Sequence, residues 1–137
     1  GASFISSLFY VPVFWTNVHL PPLLGFHNNN INIFKKFFNQ STKKFLSFNE
    51  LFSPFLLENI FSSFEDDTNI KLIDNTENEI YESLLIFTKN LEYNNTHKNI
   101  NNSMINNFLK NSNWSRHTNG RYCELFLENF FKLLKDS

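Results

Sequence analysis

The chain has 137 residues, a formal net charge of −1, and hydrophobic residues at 42% of its length. This length fits one domain with a core of its own, and this hydrophobic content excludes global disorder. Cys123 is the single cysteine, which excludes an internal disulfide and therefore a small secreted disulfide scaffold.

The amino-acid usage is biased: Phe (18 residues) and Asn are frequent, whereas Gly (3) and Pro (4) are scarce. Residues with AT-rich codons are favoured throughout, which indicates an AT-rich genome, nuclear or organellar. Runs such as Asn28-Asn29-Asn30 are therefore open to explanation by codon drift rather than by loop chemistry. The chain opens on Gly1 without an initiator Met, which favours a processed protein or an excised fragment.

The N-terminal part, residues 1–30, is predicted to be an apolar arm, since residues 1–34 contain no Lys, Arg, Asp or Glu. Apolar residues are dense from Phe4 to Phe26, but three prolines, Asn17 and His19 interrupt them. A spanning helix needs about 20 mostly apolar residues, and no uninterrupted stretch here is that long. Three interpretations stay open: a broken or extended arm packed on the domain, a membrane-embedded or interfacial segment, and a piece of a longer helical protein.

Residues 31–137 are predicted to form an all-α domain. Apolar residues recur at helical spacing and predict about five helices, near 31–46, 48–64, 77–93, 99–112 and 119–135. Ser47 with Glu50, and Thr76 with Glu79, have the spacing of capping boxes. Short connections favour an antiparallel bundle or a short α-solenoid-like array. The segment Ile70–Ile73 is the one strand candidate. The predicted core comprises Phe34, Phe38, Phe61, Phe64, Leu84, Phe87, Phe108, Phe126 and Phe130.

A basic segment follows the arm and is the most distinctive local feature of the sequence. As a helix, it would carry Lys35, Lys36, Lys43 and Lys44 on one half and phenylalanines on the other. Such a helix can lie on an anionic membrane, dock on an acidic partner, or simply present a solvated lysine face. Four lysines on a chain of net charge −1 make a thin electrostatic footprint, so a nucleic-acid partner is not expected.

A second candidate surface is the predicted turn near Trp114, which also carries Arg116 and Arg121. Trp and Arg are frequent hot-spot residues of protein interfaces, so these three are candidate partner contacts. The alternative is a turn in which Trp114 folds back on the core. Cys123 and His117 are near in sequence, but no hydrolase signature surrounds them, and Cys123 is interpreted as a small buried hydrophobe.

No catalytic, metal-binding or cofactor-binding residues are predicted, because the sequence contains no nucleophile–base pair, metal-ligand spacing or Gly-rich phosphate loop. Charged residues make up only 18% of the chain, which favours a surface that faces a protein partner. The sequence therefore predicts a non-enzymatic interaction or structural domain, a subunit or fragment of a larger intracellular assembly, in the cytoplasm or an organelle. The alternative is a membrane-associated subunit, for example of an organellar complex, that uses the arm and the basic helix. No small-molecule substrate is evident.

Overall fold

The computed structural model describes residues 5–6, 8–19, 29–51, 53, 69–92 and 120–136. In chain order, the elements of these residues are β1 (Phe14–Val18), β2 (Ile31–Phe34), β3 (Lys36–Asn39), β4 (Lys44–Phe45), α1 (Phe48–Leu51), β5 (Ile70–Ile73), α2 (Glu77–Glu92), β6 (Arg121–Tyr122) and α3 (Glu124–Asp136). The described fold is therefore mixed α/β, and the predicted all-α bundle or solenoid-like array is wrong.

The described strands form two three-stranded sheets. One is parallel, in the order β1-β2-β6, and pairs Phe14 with Ile31 and Asn32 with Tyr122. The other is antiparallel, in the order β4-β3-β5, and pairs Phe38 with both Phe45 and Lys71. Part of the predicted arm thus belongs to a sheet, since β1 pairs with the central strand β2.

The predicted helix at 31–46 is instead three strands, β2 to β4. All four residues of β2 are buried, as in a central parallel strand. A strand buried at every position shows no period of two, so its apolar residues can match a helical spacing by coincidence. The β-branched and aromatic residues of this segment favour extended backbone.

Two of the predicted helices are present as α2 and α3. The capping box that starts α2 is formed, since Glu79 N donates to Thr76 Oγ1 at 3.2 Å and Thr76 N to Glu79 Oε2 at 2.7 Å. The third helix, α3, starts later than predicted because the amide of Cys123 donates to the carbonyl of Asn32 in strand pairing. The strand candidate Ile70–Ile73 is confirmed as β5.

Helix α1 begins at Phe48, as the Ser47–Glu50 pair predicts. Ser53 is not helical, so the predicted helix does not run unbroken over 48–64. The other residues of that range beyond Leu51 and all of the predicted helix 99–112 lie outside the described residues, as do the predicted core residues Phe61, Phe64 and Phe108.

The core lies where α3 and β6 meet β2. The ring of Phe34 makes edge-on contacts with three other rings, at centroid distances of 5.6 Å to Tyr122, 5.0 Å to Phe126 and 5.3 Å to Phe130. Burial of Phe34, Phe87, Phe126 and Phe130 confirms four predicted core residues. Phe38 is half-buried, and Leu84 is exposed rather than buried.

Candidate functional site

The N-terminal apolar surface consists of Ile5, Leu8, Phe9, Tyr10 and Val11. Their exposed fractions are 58%, 67%, 74%, 81% and 50%, respectively. Monomeric proteins rarely expose contiguous apolar patches beyond a few hundred Å². Five large apolar side chains this exposed within seven residues are therefore typical of a surface that another molecule covers.

The backbone gives this surface a defined shape. The amides of Phe9 and Val11 both donate to the carbonyl of Ser6, at 3.2 and 3.0 Å. Tyr10 lies between them in the left-handed region, with φ 55°. A residue in the left-handed region commonly closes a helical turn. This conformation costs a residue other than glycine about 1–2 kcal/mol. The turn holds Phe9 and Tyr10 side by side at the surface.

Helix α2 carries a second exposed apolar stripe, formed by Tyr81, Leu84, Leu85 and Leu91. Acidic residues and one lysine flank this stripe, in contrast to the charge-free arm. A shallow concavity of about 500 Å³ lies at the first turn of α2 and is lined by Thr76, Glu77, Asn78 and Tyr81. The concavity is open to solvent.

The four lysines of the predicted basic helix do not form a basic face. Lys36 is buried, and its Nζ contacts both carboxylate oxygens of Glu79, at 2.7 and 2.9 Å. Lys35 Nζ lies 2.7 Å from Asp74 Oδ1. Lys43 and Lys44 are exposed at the turn that joins β3 to β4. The predicted basic amphipathic helix is wrong because this segment forms the strands β3 and β4. Two of the four lysine charges are paired within the fold.

The Lys35–Asp74 pair lies at the end of β2, where the chain also approaches α2. The hydrogen bond and charge of Lys35 lower the pKa of Asp74, and the charge of His19 acts in the same direction. Both ion pairs join the sheet region to the residues around the start of α2. The two ion pairs therefore help to position α2 against the sheet region.

Of the predicted partner contacts, Trp114 and Arg116 lie outside the described residues. Arg121 is half-buried in β6, where its backbone amide donates to the carbonyl of Asn30. Burial lowers the pKa of Arg121, and the nearby charge of Glu124 opposes that shift. The backbone of Arg121 thus takes part in the sheet, and its predicted role as a partner contact stays a prediction.

Cys123 is buried, with 1% of its surface exposed, as the sequence predicts. Its amide donates to Asn32 and its carbonyl accepts from Leu127, so it joins β6 to α3. Across the described ranges, no group of three or more His, Cys, Asp or Glu side chains could hold a metal ion. Of the helices in the same ranges, none has the length and apolar content to cross a membrane.

A set of buried asparagines was not among the predicted site residues. Asn30 and Asn32 flank Ile31 and are fully buried. Asn30 Oδ1 accepts from the amide of Val13 at 2.8 Å, and Asn32 Nδ2 donates to the carbonyl of Arg121 at 3.1 Å. These side chains connect neighbouring strands of the parallel sheet. The alternation of Asn with Ile over residues 30–33 was the available signal, but the bias toward AT-rich codons favours both residues and obscures it.

Comparisons with known proteins add no relationship: no protein-family model, curated protein or solved structure matches this chain.

Proposed function

We propose that this chain is a non-enzymatic interaction domain that joins a larger assembly through its N-terminal apolar surface. The observation that carries the proposal is the exposure of that surface, up to 74% at Phe9 and 81% at Tyr10. Burying such rings against a partner is favourable by roughly 25 cal/mol for each Å² of apolar area removed from water. Aromatic side chains are also common hot spots of protein interfaces.

The shape of the surface supports a protein partner over a lipid bilayer. A hydrogen-bonded turn presents Phe9 and Tyr10 in one arrangement, which suits a complementary protein surface. Insertion into lipid requires no such fixed shape, and it gains from basic residues beside the apolar ones. Of the four lysines of the basic segment, Lys35 and Lys36 are paired with Asp74 and Glu79. Only Lys43 and Lys44 are left to supply that charge.

The proposal is tested with a tagged chain expressed in its native cells. The wild-type chain, of 16.3 kDa, is expected to elute in a larger complex of fixed stoichiometry. The double substitution Phe9→Ser/Tyr10→Ser should release the chain from that complex, because it removes the apolar contact area. The matched control is Tyr81→Ser, which removes an exposed ring from α2 and should leave the complex intact.

Either of two results would contradict the proposal. One is a wild-type chain that elutes as a monomer in native extract. The other is a complex that the double substitution leaves unchanged while circular dichroism shows the variant folded. Catalytic turnover by the purified chain would contradict the non-enzymatic part separately.

A further inference from the structure

The N-terminal apolar surface belongs to the longest stretch of the sequence without a charged side chain. Residues 1–34 contain no Lys, Arg, Asp or Glu. When a surface meets its own copy about a two-fold axis, each charge near the axis faces a like charge. Like charges brought together at an interface repel, and their desolvation adds a further cost. A charge-free apolar surface meets its own copy without that penalty.

We infer that the N-terminal apolar surface packs against the same surface of a second copy of this chain. The inference rests on the proposed function and names the partner for that surface. The two-fold arrangement places Phe9 and Tyr10 of each copy near the axis, where they bury one another. The resulting homodimer is the unit that this chain contributes to an assembly.

The area available reaches the lower limit of a stable contact if both copies bury all five side chains. Phe9 and Tyr10 are 74% and 81% exposed, and aromatic side chains bury about 150–250 Å² each, so the two rings offer on the order of 300 Å² per copy. With Ile5, Leu8 and Val11 from both copies, the total reaches on the order of 1,000 Å², near the lower limit for a biological interface.

The stripe on α2 is less suited to self-association. Its flanks carry Glu77, Glu82 and Glu92 against a single Lys89, so two copies of this face present the same net negative charge. The exposed ring of Tyr81 on this stripe therefore supplies a matched control for Phe9 and Tyr10.

The first test is sedimentation of the purified full chain over a wide concentration range. The wild type should change from 16.3 kDa to twice that mass as its concentration rises. Phe9→Ser/Tyr10→Ser should raise the dimer Kd on the order of tenfold or more, as loss of hot-spot residues does. Tyr81→Ser should leave the Kd unchanged. Circular dichroism of each variant establishes that it is folded.

A second test uses an engineered cysteine, because the single native cysteine is buried and will not form disulfides between copies. Cys123 is buried, so Tyr10→Cys introduces an exposed thiol that lies near the proposed axis. Mild oxidation should give a covalent dimer that thiol reagents reverse. The control, Tyr81→Cys, should stay monomeric under the same oxidation. Unlike the first test, this one detects the proximity of the two copies and does not depend on disrupting the interface.

Several outcomes would overturn the inference. One is a wild type that stays monomeric at every concentration in sedimentation. Another is a dimer that Tyr81→Ser weakens as much as Phe9→Ser/Tyr10→Ser does. A third is a chain that does not dimerise but floats with uncharged phospholipid vesicles in a way that depends on Phe9. A pure chain that is monomeric but enters a Phe9-dependent complex in native extract also overturns the second copy as partner, while the proposed function stands.

Discussion

The backbone amide of Asn17 donates a 2.8 Å hydrogen bond to Oδ1 of Asn75, and the amide of Asn75 donates a 2.6 Å hydrogen bond to Oδ1 of Asn17. Asn17 lies in the left-handed region, with φ 53°, at the irregularity where β1 shifts its register against β2. Asparagine tolerates this conformation better than most residues. Asn75 Nδ2 also donates to the carbonyl of Phe34 at 2.8 Å, so one side chain links β1, β2 and the residue before the α2 cap.

We expect Asn75→Ala to destabilise the protein by about 2–4 kcal/mol, because it removes the acceptor for Asn17 N and the donor for the Phe34 carbonyl. Urea denaturation measures the change in the free energy of unfolding. Asn78→Ala, on the exposed side of α2, is the matched control and should have little effect. A loss at Asn75 no larger than that at Asn78 would show that the linkage adds no stability.

The ion pairs of Lys35 and Lys36 allow the effect of burial on ion-pair stability to be compared directly. The side chains of Lys36 and Glu79 are 10% and 21% exposed, whereas that of Asp74, the partner of Lys35, is 67% exposed. Lys36→Met leaves a carboxylate mostly buried without its cation, and we expect a loss of about 2–4 kcal/mol. Lys35→Met should have a much smaller effect, because water solvates Asp74. Equal losses for the two substitutions in urea denaturation would contradict this account.

The helices of this fold could be predicted because they carry local signals. Thr76 and Glu79 cap α2 by bonds between residues three apart, and that spacing is legible in the sequence. Ile80, Ser83 and Phe87 then face inward at helical intervals, although the sequence did not distinguish this face from that of Leu84. A hydrophobic pattern counts every leucine as apolar, so it cannot show that Leu84 is exposed and Phe87 is buried.

Apart from the strand β5, the two sheets could not be predicted, because their stabilising contacts join distant residues. Ile31 pairs with Phe14 on one side and with Arg121 on the other. The residues next to Ile31 in the sequence do not indicate either pairing. The two-residue strand β6 is too short to show any alternation. The sequence pattern places Lys36 on an exposed lysine face because the partner that buries it, Glu79, is 43 residues away. The apolar arm was recognised as a candidate surface, although no local signal distinguished β1 from the exposed residues before it.

Acid titration should expose the pairing of Asp74. Lys35 lowers the pKa of Asp74 below its usual 3.8, so the folded state holds this carboxylate ionised at lower pH than the unfolded chain does. The stabilisation is therefore present above the unfolded pKa and is lost as the pH falls through the folded value. NMR titration of the Asp74 carboxyl should show the lowered pKa, and Lys35→Met should return it toward its usual value. An unchanged titration in that variant would exclude Lys35 as the cause.

Alkaline titration should reveal the burial of Tyr122. Burial raises the pKa of Tyr122 far above its usual 10.0, because its surroundings disfavour the phenolate. The unfolded chain ionises this group near its usual pKa while the folded state keeps it protonated. The associated stability is therefore present below about pH 10 and is lost as the pH rises further.

Tyr122→Phe keeps the ring that packs on Phe34 and removes the ionisable group. We expect its free energy of unfolding to fall less steeply with pH above 10 than that of the wild type. Tyrosinate absorbance checks this directly: the wild type should show one further ionisation only when the protein unfolds, and the variant should lack it. A wild-type chain that ionises every tyrosine while still folded would show that Tyr122 is open to solvent.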